Sequence, residues 1–184
     1  MLILAEELQT PQSDAFCYGV KVWEKSSTLQ AGRMTLSQVL RNHAFTRGLG
    51  DTQIATLAVL ASEVTFEENE FILVDGQRSQ SFFLVISGSV SVELRTPSYV
   101  VSVQAVGPGE AFGWSSLLED HDTLFLVRAR EHTTALRLDG RALKAACHED
   151  TLLGTEILQR ALALVTGRVR ATEIRFAEMC GVRV

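Results

Sequence analysis

The sequence predicts an α+β fold: a jelly-roll (double-stranded β-helix) barrel flanked by helices, with one long C-terminal helix. Three observations predict it. Between Val64 and Leu138 about eight short apolar or alternating runs follow one another, separated by turn residues. Helical periodicity precedes them, with Ile54, Leu57, Ala58 and Ala61 on one face. After Asp150 a helical pattern continues to about Glu178. The 184 residues, 46% hydrophobic and 21% charged, suit one ordinary domain with its own core.

Residues 1–33 show little order of this kind. Tyr18 to Trp23 alternates as a short strand, while Pro11, Gly32 and several Ser and Thr residues interrupt the remainder. The segment is read either as an arm packing on the body or a partner subunit, or as sequence upstream of a natural start at Met34. From Thr35, the pattern Thr35-Leu36-Ser37-Gln38 is a capping box and begins a helix. Asp51 is expected to cap the next one. His43 lies at the corner between them, where a capping or surface role outweighs a ligand role.

The strands come next. Val64–Phe66 and Phe71–Val74 flank the turn Glu67-Glu68-Asn69-Glu70, and Asp75-Gly76 leads on to the apolar run Phe82–Ile86. Val90, Val92 and Leu94 alternate with Ser91, Glu93 and Arg95, as in a half-buried strand. Tyr99–Val106, Leu124–Glu131 and Thr133–Leu138 complete the set. Gly107-Pro108-Gly109 opens a stretch in which one helical turn, Gly113 to Leu118, precedes the polar loop Glu119 to Asp122. A glycine ahead of a short helix lets backbone N–H groups converge, and a helix N-terminus favours an anion. Asp139 caps a short helix over Ala142–His148, and the last helix starts at Asp150-Thr151.

Several function classes lose support here. The net charge of −5 argues against a nucleic-acid surface, which needs clustered Lys and Arg. Cys17, Cys147 and Cys180 are scattered, without metal-ligand spacing, and read as reduced thiols of a cytoplasmic protein. The four His residues are dispersed, with no His-x-His, so no metal site and no metal-dependent jelly-roll enzyme is expected. Gly-x-Ser-x-Gly and phosphate-loop sequences are absent, and no catalytic residues are assigned. No apolar run reaches the roughly 18 residues of a membrane helix.

The strand and turn motifs carry a resemblance. Ile72 to Gly76, Phe82 to Val90, Phe112-Gly113, Leu117-Leu118 and Val127-Arg128-Ala129 together resemble the cyclic-nucleotide-binding domain family, over about residues 40 to 178. The resemblance implies a phosphate-binding cassette made here by Phe112, Gly113, Trp114, Ser115, Ser116, Thr123 and Leu124. In the family, a Glu of the cassette holds the ribose and an Arg holds the phosphate. Aligned without a gap, that Glu falls on Trp114, that Arg on Thr123 and the family's Pro on Asp122. The frame is kept and both ligand-binding side chains are replaced. Arg128 and Arg130 cannot stand in, since alternation along the strand turns them from the face of Thr123, Phe125 and Val127.

The resemblance also makes the last helix a pairing helix. Leu158, Leu162, Val165, Val169, Thr172, Phe176 and Met179 follow a heptad seam. Ile157, Ala161, Leu164 and Ala171 widen the apolar face, so that one side can meet the barrel and the other a partner, while Arg160, Arg168, Arg170 and Arg175 read as a solvated flank. The organisation expected is thus an arm (1–33), a cyclic-nucleotide-binding-like domain (34–150) and a dimerisation helix (151–184). No helix-turn-helix follows, so direct DNA reading in the family manner is not expected. The function expected is a regulatory or sensor module, not an enzyme, that does not take cyclic AMP in the usual way and acts through a protein partner. The alternative is a receptor for a cyclic nucleotide or another small anion with an unusual cassette.

Overall fold

The computed structural model describes residues 34–118, 122–123 and 125–181. The predicted arm, with its Tyr18–Trp23 strand, lies outside them, as does Leu124. Thr35 caps α1 (Leu36–Asn42) in the expected capping box, accepting from the Gln38 N–H while Gln38 Oε1 accepts from the Thr35 N–H. α2 (Asp51–Leu60) corrects one expectation. Gly50 is its cap, its N–H donating to Gln53 Oε1 at 3.0 Å, and Asp51 is the first helical residue, paired with Arg41. Ala61 leaves the helical stripe and begins β1.

Among the described residues eight strands form two antiparallel sheets. β1 (Ala61–Phe66), β8 (Thr133–Asp139), β3 (Ser81–Ser87) and β6 (Ala111–Phe112) make one, in the order β1-β8-β3-β6. β2 (Phe71–Leu73), β7 (Leu126–Ala129), β4 (Val90–Arg95) and β5 (Val100–Val106) make the other, in the order β2-β7-β4-β5. β6 was not anticipated, because two residues are too few for an alternation to register.

The apolar run in β3 has a clear reason. Phe83 and Val85 point between the sheets, where they meet Val90, Val92, Phe112 and Val127. Phe82 and Leu84 point outward into a second core with Leu40, Ile54, Leu57, Leu143, Leu153 and Ile157 from the helices. A strand buried on both faces loses its alternation. β4 shows a related departure. Its Ser91 and Glu93 are buried instead of solvated, because Arg128 of β7 covers them, with its Nη2 2.6 Å from Glu93 Oε1. Ser91 Oγ donates to the same oxygen at 2.6 Å.

Asp139 caps α3 (Gly140–Glu149), and Asp150 caps α4 (Thr151–Met179), accepting from the Leu152 and Leu153 N–H groups. α3 and α4 touch backbone to backbone at Gly154: a Cβ there would lie 2.5 Å from the Cys147 carbonyl oxygen. No helix among the described residues is long and apolar enough to cross a membrane.

His43 is a buried structural residue at the end of α1. Its Nδ1 accepts from the Phe45 N–H at 3.2 Å, so the ring proton sits on Nε2 and is donated to the Val85 carbonyl at 3.0 Å. Protonating Nδ1 would set a donor against a donor. Burial lowers the His43 pKa, with the Val85 bond opposing. The unfolded chain therefore binds this proton more tightly than the folded one. The His43 contribution to stability is full above the ordinary value of 6.5 and is lost as pH falls through it. The urea midpoint of the wild type should fall between about pH 7 and pH 5, and His43→Ala, though less stable throughout, should lose that part of the slope.

Candidate functional site

A cavity of about 230 Å³ opens between the second sheet, the turn after β6 and α4. Leu73, Val92 and Val127 supply one wall from β2, β4 and β7, and Phe112 supplies the end of β6. Phe112 is held by stacking on Phe83, with ring centroids 4.7 Å apart. The floor is a 3-10 turn, Trp114–Leu117, entered through Gly113 at φ 83°. Glycine is required at that point, since a Cβ would lie 2.5 Å from the Ser81 carbonyl oxygen. The need is one of packing. Ser116 is buried beneath it, away from the cavity, and its hydroxyl donates to the Gly113 carbonyl at 2.7 Å.

Gly113, Trp114, Ser115, Thr123 and Phe112 thus all border the cavity, and Ser116 does not. Leu118, Asp122 and Phe125 complete that side. The Thr123 segment is firmly held. Its N–H donates to the Gln77 carbonyl at 2.9 Å and its carbonyl accepts from the Gly76 N–H at 2.8 Å. Its side chain is only 7% exposed. The hydroxyl is used locally, donating to the Phe125 carbonyl at 3.2 Å. Arg128 turns to the opposite face of β7 toward Glu93, as alternation required, and its guanidinium lies 5.8 Å from the Phe71 ring centroid.

Among the described residues, the cation facing the cavity comes from an element not expected to supply one. Arg168 of α4 lines it and is 8% exposed. Among the described residues its Nε and Nη1 find no hydrogen-bond partner. Burial lowers its pKa, and the Glu110 charge acts the other way. Glu110 forms no ion pair with it, and the Glu110 carboxylate instead accepts from the Gly107 N–H at 2.7 Å. The solvated flank predicted for Arg168 is thereby corrected. The signal was in the register: Ile157, Ala161, Leu164, Arg168 and Ala171 follow one stripe, and Ile157 and Ala161 are buried against the body. A charge in an apolar stripe draws attention only if the stripe, and not the charge, is read first.

The seam of α4 faces the other way. Leu158, Leu162, Val169, Phe176 and Met179 are exposed, with Leu162 at 66% and Phe176 at 68%, while Val165 and Thr172 are half-buried.

Two packed antiparallel sheets, a helical second core and a cavity floored by a glycine-led turn define a jelly-roll domain. Residues 63–150 match the family model of the cyclic nucleotide-binding domain. Solved structures of similar fold include a cyclic nucleotide-binding domain from Methylobacillus flagellatus (19% identity, TM-score 0.66), covering 79% of this chain and 82% of that one. The regulatory subunit of a cAMP-independent protein kinase A from Trypanosoma brucei is another (22% identity, TM-score 0.61), covering 79% of this chain and 50% of that one. The N-terminal domain of a transcriptional regulator from Streptomyces coelicolor A3(2) is a third (25% identity, TM-score 0.58), with coverage of 71% and 94%. This chain spans only half the length of the Trypanosoma subunit.

Proposed function

We propose that this chain is a cytoplasmic regulatory module of the cyclic-nucleotide-binding type, not an enzyme, that does not hold cyclic AMP in the family manner and acts through a protein partner. One observation carries the reading: Trp114 and Thr123 border the cavity where the aligned cassette has its ribose-binding Glu and phosphate-binding Arg. The nearest strand guanidinium, Arg128, is committed to Glu93 on the far face. Trp114 borders the cavity at the position aligned with the ribose-binding Glu and packs against the helical core. Similarity in fold to a subunit whose kinase is cAMP-independent agrees with this reading.

Losing an Arg–phosphate contact costs about 1.5–3 kcal/mol, and losing the Glu–ribose contact a similar amount. Together they remove about two to four decades of affinity relative to an intact cassette. Calorimetry with cyclic AMP and cyclic GMP should show no saturable binding at micromolar concentration. Micromolar binding would establish the alternative, a cyclic-nucleotide receptor with an unusual cassette.

The module is proposed to work as a homodimer through α4. The helix separates its two apolar faces: Ile157 and Ala161 pack on the body, while Leu158, Leu162, Val169 and Phe176 face outward in heptad spacing. An apolar row of that length calls for a cover, and a second copy supplies one by isologous contact. Light scattering should give about twice the 20.2 kDa chain mass. Leu162→Glu with Val169→Glu should give soluble monomers, because like charges would face each other across the axis. A wild-type mass of one chain refutes the pairing.

A further inference from the structure

Arg168 has no role in the proposed pairing, and among the described residues its Nε and Nη1 have no hydrogen-bond partner. Its guanidinium has been taken out of water without receiving hydrogen bonds in exchange at Nε and Nη1. An unpaired buried charge is among the costliest features a fold can carry. Its neighbours in the barrel-facing stripe of α4 are apolar, so Met or Leu would serve packing at this position without that cost. The charge also borders an open cavity, where an anion can reach it.

The surroundings narrow the anion. Val92, Phe112, Phe125 and Val127 offer apolar surface, and beside Arg168 the lining adds only the Ser115 hydroxyl and the Trp114 indole N–H as neutral side-chain donors. The Thr123 hydroxyl is already given to the Phe125 carbonyl. The Asp122 carboxylate borders the same cavity, and Glu110 acts electrostatically on Arg168 from outside it. A single cation in a cavity that also holds the Asp122 carboxylate disfavours a dianion such as a phosphate monoester. At about 230 Å³ the cavity lies below the roughly 300–1,000 Å³ usual for drug-sized ligands, so the body must be compact.

We infer that the cavity binds a compact apolar monocarboxylate, with an aryl or branched-alkyl body, whose carboxylate pairs with Arg168 and whose body lies against Val92, Phe112, Phe125 and Val127. The inference rests on the reading of the chain as a module that does not take cyclic AMP, and it supplies the class of ligand that such a module would sense. It places the recognising cation on α4, the proposed pairing helix, instead of on the strand that follows the cassette turn.

The test is calorimetry on the full chain with benzoate, phenylacetate and 3-methylbutanoate, each beside its neutral amide, with cyclic AMP as a separate arm. At least one carboxylate should bind about tenfold or more tightly than its amide, the margin expected of a charge-assisted pair. Arg168→Met should abolish that preference while the unliganded protein melts no lower than wild type, since an unpaired charge has been removed. Arg168→Lys should retain part of the preference, and the wild-type comparison of carboxylate with amide stands even if a variant fails to fold. The inference is overturned if no carboxylate binds the wild type, or if the preference survives Arg168→Met. If nothing in the panel binds, the ligand class falls while the partner-acting module stands. If cyclic AMP binds at micromolar concentration and Arg168→Met removes it, the monocarboxylate assignment and the cyclic-AMP-independent reading both fall.

Discussion

Trp114→Glu combined with Thr123→Arg should raise the affinity for cyclic AMP by about two to four decades, the same interval the natural substitutions remove. The backbone is ready for it. Thr123 is fixed on both sides by its bonds to Gly76 and Gln77, and its side chain is buried on the cavity wall. An arginine at that position starts from a held backbone, with its reach directed into the cavity. The single change Thr123→Arg should behave differently. It sets a second cation beside Arg168 without a new counter-charge, so it should lower the melting temperature of the free protein and give only part of the affinity. Calorimetry on the folded double variant decides the matter. If it does not bind, the cavity has changed shape as well as side chains, and the frame is not that of a working cassette.

Gly113→Ala should cost about 2–6 kcal/mol of stability, a large fraction of what a domain of this size possesses. Two effects add. The backbone at φ 83° is one that alanine adopts only with strain. The new Cβ would also lie 2.5 Å from the Ser81 carbonyl oxygen, a backbone atom at the start of β3 that cannot swing aside. Gly76→Ala separates the two. It has a similar φ of 74° but nothing within 4 Å of its Cβ, so it should cost only the backbone part, about 1–2 kcal/mol. Urea denaturation of both variants gives the comparison, and equal costs would show that the close approach at Gly113 is relieved by a shift of the turn.

Much of the fold was legible because its signals are local and periodic. The capping box at Thr35, the caps at Asp139 and Asp150, and the heptad steps from Leu158 to Phe176 each follow from neighbours a few residues apart. Expectations departed from the structure where long-range contacts decide. Ser91 and Glu93 look solvent-facing in an alternating strand, and they are buried because Arg128, from another strand, reaches across them. Asp51 is an ordinary cap residue, yet Gly50 takes the place because Gln53 satisfies its N–H. In the cavity, Phe112, Gly113, Trp114, Ser115 and Thr123 were found through the cassette pattern, which is contiguous. Arg168 was missed because its partners in the site are some forty to a hundred residues away in sequence, and because charge outweighed register in reading the helix.

The contact at Gly154 has a mechanical consequence. There α4 bears directly on α3, with no side chain between the two backbones to act as a cushion. From that fulcrum the helix runs about 14 residues to Arg168, roughly 21 Å, and about 11 more to Met179, roughly 16 Å. Were the helix to turn there as a rigid rod, against the packing of Ile157 and Ala161, a displacement of about 1 Å at Arg168 would become nearly 2 Å at the tip. The exposed row that includes Phe176 and Met179 sits on the amplified end of this rod.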